Sequence, residues 1–381
     1  MINVGIIGTG YIGPIHIEAL NRISEIKVKA VTDATLDLAR KTAKKYNIEN
    51  VYNDYTEILR DSEIDVIHNC TPNRLHYIIT KKAIEYGKHV LSEKPLAMTL
   101  NEAEELVELA DKKGSVTGVD FCYRYYPVVQ EMAVRVRRGD AGEVRMATGS
   151  YFQDWLFFPT DYSWRLEKSE SGESNITADL GSHWFDLIQF VTGLKVAEVM
   201  ADFATLVPVR KKPAKQVLAF EEVKETQTVD VTIELEDYSA VLFRLSNGAP
   251  GSFTTSQACA GRKSDTEFQI YGSKCSLAWN HKRSTELWIG FREKPNETLI
   301  ESPTALDPST AGYATLPGGH PLGYHDAVLN LFKDFYDVVK GGKEPATHLA
   351  RPTFATGYEE MKTLQAIVES QKTRRWVQVK N

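Results

Sequence analysis

The run Asn3-Val-Gly-Ile-Ile-Gly8-Thr-Gly10-Tyr11-Ile12-Gly13 decides how this chain is read. A β-branched stretch ends in a glycine turn and passes straight into a helical pattern. Gly8 permits the tight turn, Gly10 lets a pyrophosphate approach the backbone, and Gly13 lets the helix pack on the sheet, with Tyr11 and Ile12 completing the loop. An anion held there sits at the positive end of a helix. Asp33 ends the next expected strand, 20 residues beyond Gly13. An acid in that place binds the adenosine ribose hydroxyls and repels a 2′-phosphate, so NAD is expected over NADP. The plainer readings are a domain of this type that binds no dinucleotide, and an Asp33 that only caps the helix from Leu36.

Outward from the loop, short β-branched runs recur at Val28–Thr32, Val66–Asn69, His89–Ser92 and Ser115–Val119. Helical patterns at Gly13–Ile23, Leu36–Tyr46, Leu75–Tyr86 and Asn101–Lys112 separate them. The last begins with Thr99 or Asn101 as its cap, ahead of Glu102, Glu104 and Glu105. Alternation of this kind implies a doubly wound parallel sheet of Rossmann type, and residues 1–122 are assigned to it.

After Val119 the pattern changes. Helices are expected at Pro127–Arg138 and Gly181–Val191, then extended stretches follow without helices between them. These are Val196–Pro208, Thr228–Glu236, Ala240–Ser246, Gly251–Ser256, Glu267–Tyr271 and Ser276–Trp279. From Glu225, apolar residues alternate (Val229, Val231, Ile233, Leu235) as in a strand with one face exposed, and Asn247-Gly248 marks a turn. Lys294–Gly323 reads as a long loop bordering a site. Helices at Tyr324–Lys340 and Phe354–Ser370 and a strand at Trp376–Val379 close the chain. Residues 123–381 are thus expected to form an α+β domain on a large, mostly antiparallel, open-faced sheet.

Composition narrows the class. The 381 residues carry 45 Lys+Arg against 51 Asp+Glu, a net charge of −6 that does not suit a nucleic-acid binder. Cys70, Cys122, Cys259 and Cys275 have neither CxxC nor zinc-ligand spacing, so free thiols and no metal are expected. No apolar run approaches the ~18 residues of a membrane span, and the amino terminus does not read as a signal peptide. A soluble, cytoplasmic protein is the expectation.

Two further motifs carry chemistry. His89-Val-Leu-Ser-Glu93-Lys94-Pro95 delivers Glu-Lys-Pro at a strand's carboxyl end, where open parallel sheets bind ligands. Thr177-Ala-Asp179-Leu-Gly-Ser-His183-Trp-Phe-Asp186 places three polar groups four and seven positions apart, on one face of an α-helix. The bland reading of that stripe is a capping Asp179 and a buried structural histidine.

With the glycine loop, these motifs resemble, over nearly the whole chain, the Gfo/Idh/MocA family of NAD(P)-dependent oxidoreductases, which includes glucose–fructose oxidoreductase and inositol dehydrogenase. Ile64–Leu106 resembles its second half-domain, Phe121–Pro127 its domain junction and Asp179–Asp186 its catalytic helix. The resemblance implies that Lys94 lies beside nicotinamide and substrate with Glu93 nearby, and that the Lys94–Pro95 bond is cis. It implies that Thr71, Pro72, Asn73 and His76 pass under the cofactor and that Trp164-Arg165 reaches its nicotinamide end. It offers Arg124 as a site arginine or an interface ion pair, and His320 and Tyr324 as a loop of the sugar-active branch. It also implies a homo-dimer or homo-tetramer.

The resulting expectation is an NAD-dependent dehydrogenase for a secondary alcohol of a sugar or cyclic polyol, of inositol, pyranose or anhydrosugar type. His183, with histidine's ordinary pKa near ~6.5, is assigned as base in oxidation and acid in reduction. Lys94 stabilises alkoxide charge, Asp179 orients and tunes, and Asp186 is structural. Tyr123, Tyr151, Trp164, His183 and Tyr324 suggest a pocket for a neutral polyhydroxylated ring, with Arg124 and Arg165 as cations that would instead clamp an anion. An NAD-dependent glycoside hydrolase and a non-catalytic NAD-binding sugar sensor are the competing readings.

Overall fold

The computed structural model describes residues 1–214, 228–341 and 349–380. Its first unit runs β1 (Ile2–Ile7), α1 (Ile12–Leu20), β2 (Ile26–Thr32), α2 (Leu36–Tyr46), β3 (Asn50–Val51), α3 (Tyr55–Arg60), β4 (Val66–Asn69), α4 (Asn73–Glu85), β5 (His89–Ser92), α5 (Leu100–Lys113) and β6 (Thr117–Val119). The six strands form one parallel sheet in the order β3-β2-β1-β4-β5-β6. Strand order reverses between β1 and β4, which opens a ligand crevice at their carboxyl ends. Local chemistry sets the helix ends. Thr99 and Glu102 close a capping box on α5, and Gly114 terminates that helix in the left-handed region. Thr35 caps α2 by accepting from the Leu38 amide, so Asp33 is free of that task.

The second unit continues with α6 (Pro127–Arg138), β7 (Val144–Phe152), α7 (Lys168–Ser171), α8 (Ser182–Thr192), β8 (Val196–Ala204), β9 (Val209–Pro213), β10 (Thr228–Thr232), β11 (Tyr238–Leu245), β12 (Pro250–Ser256), β13 (Asp265–Gly272), β14 (Ser276–Asn280), β15 (Glu286–Gly290), β16 (Glu297–Ile300), α9 (Tyr324–Val339), α10 (Phe354–Thr373) and β17 (Val377–Gln378). Nine strands join in the order β16-β15-β14-β13-β7-β12-β11-β8-β17. Every pairing is antiparallel except that of β7 with β12. Helix α8 packs its Trp184 and Phe185 against Phe243 and Phe253 on one face of this sheet. The C-terminal helices return to the first unit, where the Val119 amide donates to the Pro352 carbonyl at 3.0 Å.

Three expectations are corrected. The alternating stretch near Thr228–Glu236 does not join the large sheet. It pairs with β9 in a separate two-stranded ribbon that ends at Thr232, and Ile233 is buried in a small cluster with Leu156 and Leu166. Residues 225–227, where the alternation begins, lie outside the described residues. The loop expected from Lys294 contains β16, whose partner β15 precedes it. The central strand β7 is absent from the sequence reading because Gly149 and Ser150 break its apolar alternation. The glycine there is steric: a Cβ would stand 2.6 Å from Trp184 Nε1 and 2.2 Å from the Glu267 carbonyl.

Candidate active site

The glycine loop joins β1 to α1 at the switch point. Gly8 has φ +94°, and a Cβ on it would lie 2.5 Å from the Cys70 carbonyl. A Cβ on Gly13 would lie 2.3 Å from the Gly8 carbonyl, whereas one on Gly10 would meet nothing within 4 Å. The loop is therefore tight on its inner side and open at Gly10, the shape a pyrophosphate needs. Asp33 tethers the loop, accepting from Thr9 Oγ1 at 2.6 Å and from the Thr9 amide. Tyr11 is half exposed at the start of α1, with the Arg165 guanidinium close enough to offset part of the rise that burial gives its phenol.

At the end of β5 the Lys94–Pro95 peptide bond is cis. Lys94 Nζ donates to Asp179 Oδ1 at 2.7 Å and to the Asp179 carbonyl at 2.8 Å. Arg165 Nε lies 3.3 Å from the same Oδ1, with its guanidinium 4.5 Å from the Trp164 ring centroid. Gln257 Nε2 donates to Asp179 Oδ2 at 2.8 Å. Burial raises the Asp179 carboxyl, but the charges of Lys94 and Arg165 outweigh it and hold the group well below the usual carboxylate range. His183 is buried beside Tyr123, with ring centroids 4.9 Å apart. Burial, then the Lys94 charge, push its pKa down to about 3, so the ordinary value expected from sequence is not kept.

The approach to α8 differs from the regular helix expected. Thr177–Gly181 forms a π-turn ahead of α8, a wide turn that occurs often at functional sites. Glu236 holds its start, accepting from Ser174 Oγ at 2.6 Å and from the Asn175 and Thr177 amides at 3.1 Å. Asp186 does not share the site with Asp179. It takes Arg124 Nε at 2.6 Å on Oδ2 and Arg124 Nη2 on Oδ1.

That fork corrects the substrate role offered for Arg124. Its guanidinium is committed to a buried ion pair, to the Ala350 carbonyl at 3.3 Å and to the face of Phe190. His76 has both ring nitrogens occupied, 2.6 Å from the Pro95 carbonyl and 2.8 Å from that of Thr71. Asn73 donates to the Ser171 carbonyl at 3.3 Å, and Thr71 Oγ1 to Asn69 Oδ1 at 2.7 Å, ahead of Pro72 at the start of α4. His320 is exposed and bonds within its own turn, to the Pro317 carbonyl at 3.1 Å.

Tyr324, by contrast, joins the aromatic wall, its ring 6.0 Å from that of Tyr123. Tyr123 and Tyr151 share a hydroxyl contact of 2.7 Å, and Ser264 Oγ lies 3.0 Å from Tyr151. Burial raises both phenols, that of Tyr151 to about 12, so they stay neutral. Gln257, Glu236 and Ser264 had no sequence signal. Each comes from a strand or turn far along the chain and is recruited only by the sheet's register.

A glycine-looped Rossmann crevice, closed by a second unit that brings an aspartate and a histidine to a strand-end lysine, defines a dinucleotide-dependent oxidoreductase. Residues 2–121 match the sequence model of an oxidoreductase family with an NAD-binding Rossmann fold. Residues 129–278 match the C-terminal domain of the same family. This chain belongs to the Gfo/Idh/MocA oxidoreductase family, and its cofactor is NAD.

Among its relatives, the levoglucosan dehydrogenase of Pseudarthrobacter phenanthrenivorans is 29% identical over 392 residues, covering 99% of this chain and 98% of that protein. The myo-inositol 2-dehydrogenase of Thermotoga maritima is 25% identical over 366 residues, covering 96% of each. A solved levoglucosan dehydrogenase in complex with NADH and levoglucosan superposes with a TM-score of 0.87, at 29% identity and over 100% of both chains. Among the described residues, no helix is long and apolar enough to cross a membrane.

Proposed function

We propose that this enzyme oxidises a secondary alcohol of a neutral sugar or cyclic polyol, or reduces the matching ketone, with Lys94, Asp179 and His183 as its catalytic groups. The observation that carries the proposal is the sharing of one carboxylate, Asp179, by Lys94 and Arg165. With Arg124 paired to Asp186, each arginine that could have clamped an acid or a phosphate already faces a carboxylate. The aromatic wall and its hydroxyls suit a polyhydroxylated ring. Relatives named for levoglucosan and myo-inositol support inositol, pyranose and anhydrosugar types.

Bound NAD supplies the hydride acceptor. Gly8, Gly10 and Gly13 would cradle its pyrophosphate, with Tyr11 and Ile12 at the loop, and Asp33 would take the adenosine ribose hydroxyls. Thr71, Pro72 and Glu93 would line its path toward Lys94, and Trp164-Arg165 would lie at its nicotinamide end.

Lys94 donates to the reacting oxygen and stabilises the alkoxide charge that grows there. His183 Nδ1 is buried without a partner among the described residues, which leaves Nε2 to take the hydroxyl proton. A pKa of about 3 makes this imidazole neutral and ready to accept, though weakly basic because burial and the Lys94 charge both disfavour its protonated form. Negative charge growing beside Lys94 offsets that cation and raises the affinity of His183 for a proton as the reaction proceeds. Asp179 holds Lys94 in place and stabilises the resulting imidazolium.

The glycoside-hydrolase reading is not favoured, because the named relatives are dehydrogenases and a reductase. A panel of inositols, pyranoses, anhydrosugars, sugar acids and sugar phosphates, scored for NADH formation, tests the proposal. A neutral ring should have the highest kcat/KM. A clear preference for an acid or phosphate would sink it.

A further inference from the structure

Behind the glycine loop, at the carboxyl ends of β4, β5 and β6, lies a buried polar network of which the mechanism above uses only Glu93. His16, on α1 one turn beyond Gly13, is wholly buried. Its Nε2 lies 3.1 Å from Glu93 Oε1 and 3.2 Å from Asp120 Oδ2. Its Nδ1 lies 2.9 Å from His68 Nδ1 and 3.3 Å from Cys70 Sγ. His68 Nε2 in turn meets the Tyr336 hydroxyl at 2.8 Å. Phe332 packs on both histidines, with ring centroids 4.9 Å away.

The donors and acceptors admit a consistent assignment. Nε2 faces two carboxylates and must carry a hydrogen. If Nδ1 carries one as well, His68 accepts at Nδ1 and donates from Nε2 to Tyr336, and each ring nitrogen has a partner. Burial works against a charged His16, but Cys70, Asp120 and Glu93 together outweigh it and raise its pKa well above the ordinary value. Burial drives His68 the other way and keeps it neutral. Burial also raises the Cys70 thiol, while the charge on His16 works the other way. On the far side of Asp120, Cys122 contacts that carboxylate and Tyr324.

The network reaches the site through one side chain. Glu93 Oε1 faces His16, while its Oε2 accepts from the Lys94 amide at 3.3 Å. The His76 ring holds the following Pro95 carbonyl at 2.6 Å. Glu-Lys-Pro is thus held from both sides, by a histidine on each.

We propose that His16 is a positioning residue for hydride transfer: an imidazolium that locks the Glu93 and Asp120 carboxylates at the strand ends and, through Glu93, fixes the backbone that aims Lys94. The inference rests on the Lys94 site proposed above. It gives His16 no contact with substrate. It also ties the NAD-binding loop, through α1, to the loop that carries the catalytic lysine.

Two measurements test it. In ¹⁵N-histidine NMR spectra of the enzyme without cofactor, both His16 ring nitrogens should stay protonated as the pH rises past ~6.5, the range where a free histidine loses its charge. A neutral His16 in that range overturns the proposal. The second is a double-variant cycle of His16→Gln and Glu93→Gln, read as kcat with NAD affinity measured apart. Each single change should lower kcat roughly 10- to 100-fold through misplacement of Lys94. The double variant should fall no further than Glu93→Gln alone, because His16 acts through Glu93.

Additive losses overturn the proposal, since a merely structural His16 would lose activity independently of Glu93. Stoichiometric zinc in the purified enzyme, lost in either variant, overturns it too, because the three ligand atoms lie within 4.8 Å of one another. If His16→Gln does not fold, Asp120→Asn takes its place, with a drop in His16 protonation as its expected result. A wild-type enzyme inactive on every polyol defeats the Lys94 reading, while the NMR measurement still judges His16.

Discussion

Replacing Asp179 with Asn removes a charge and little else. Asn keeps the shape, and its Oδ1 can still accept from Lys94. The amide nitrogen would face Gln257 Nε2, donor against donor, but Gln257 Oε1 has no partner among the described residues. Turning the Gln257 amide over restores that bond, so the packing survives. The electrostatics do not. At an effective dielectric of about 20, the carboxylate attracts Lys94 at 2.7 Å by about 6 kcal/mol and Arg165 at 3.3 Å by about 5 kcal/mol, both gross. Desolvation cancels much of this, and removing one partner of a buried pair typically costs about 3–5 kcal/mol. The side chains of Lys94, Asp179 and Arg165 are 11%, 16% and 25% exposed, so water recovers a share. We take about 3 kcal/mol as the loss at the transition state, where Asp179 also supports the imidazolium, and that is roughly a 10²-fold fall in kcat. Because Asp179 raises the His183 pKa, the variant should carry a His183 even harder to protonate than the parent. Single-turnover NADH formation, NAD affinity by fluorescence quenching and ¹⁵N-histidine NMR measure the three parts. A kcat within about threefold of wild type, under half of the ~1.4 kcal/mol that a tenfold change represents, would refute the argument.

Further outcomes follow from the same geometry. With the His183 pKa at about 3, kcat/KM for oxidation should show no His183 limb between about pH 5 and pH 8; a limb near ~6.5 that vanishes in His183→Gln contradicts this. The sign for stability is the opposite of a salt-bridged histidine's: the unfolded ring binds a proton first, so His183 destabilises the fold progressively as pH falls from ~6.5 toward about 3, and His183→Gln should blunt that loss in thermal melts. Gly10→Ala should leave the melting temperature unchanged, since its Cβ meets nothing within 4 Å, yet weaken NAD by roughly tenfold or more through overpacking against the pyrophosphate. Gly13→Ala, with a Cβ 2.3 Å from the Gly8 carbonyl, should lower both. Arg124→Met should cost about 3–5 kcal/mol of stability by stranding Asp186, with the substrate KM of the folded fraction unchanged; a raised KM would return Arg124 to the pocket.

Much of this was legible in the sequence because its signals are local. The glycine spacing, the Thr99–Glu102 capping box and the β-branched runs each act within a few residues, and together they mark the alternating strands and helices of the Rossmann sheet except the two-residue β3 and the short α3. Glu-Lys-Pro is readable for a related reason: a parallel sheet always presents its strand ends to the crevice. What was not legible depends on distant partners. Strand β7 hides its register behind Gly149, which is needed by Trp184 from another element. The π-turn before α8 is set by Glu236, about 60 residues on. Helical periodicity therefore put Asp186 beside Asp179 and His183, where the fold gives it to Arg124 instead. Charge counting by itself left Arg124 and Arg165 as potential anion clamps, and only their pairing with Asp186 and Asp179 argues otherwise.

Lys94, at the end of β5, is proposed to stabilise the reacting oxygen of a neutral polyol while the glycine loop holds NAD independently. Single-turnover NADH formation by wild type and Lys94→Ala, on the best neutral substrate of the panel, tests it most directly. A loss of roughly 10²–10⁴-fold is expected in the variant, the range typical of a lost catalytic group, with NAD affinity retained. Near-native turnover in Lys94→Ala, or a loss explained wholly by failure to bind NAD, would contradict it.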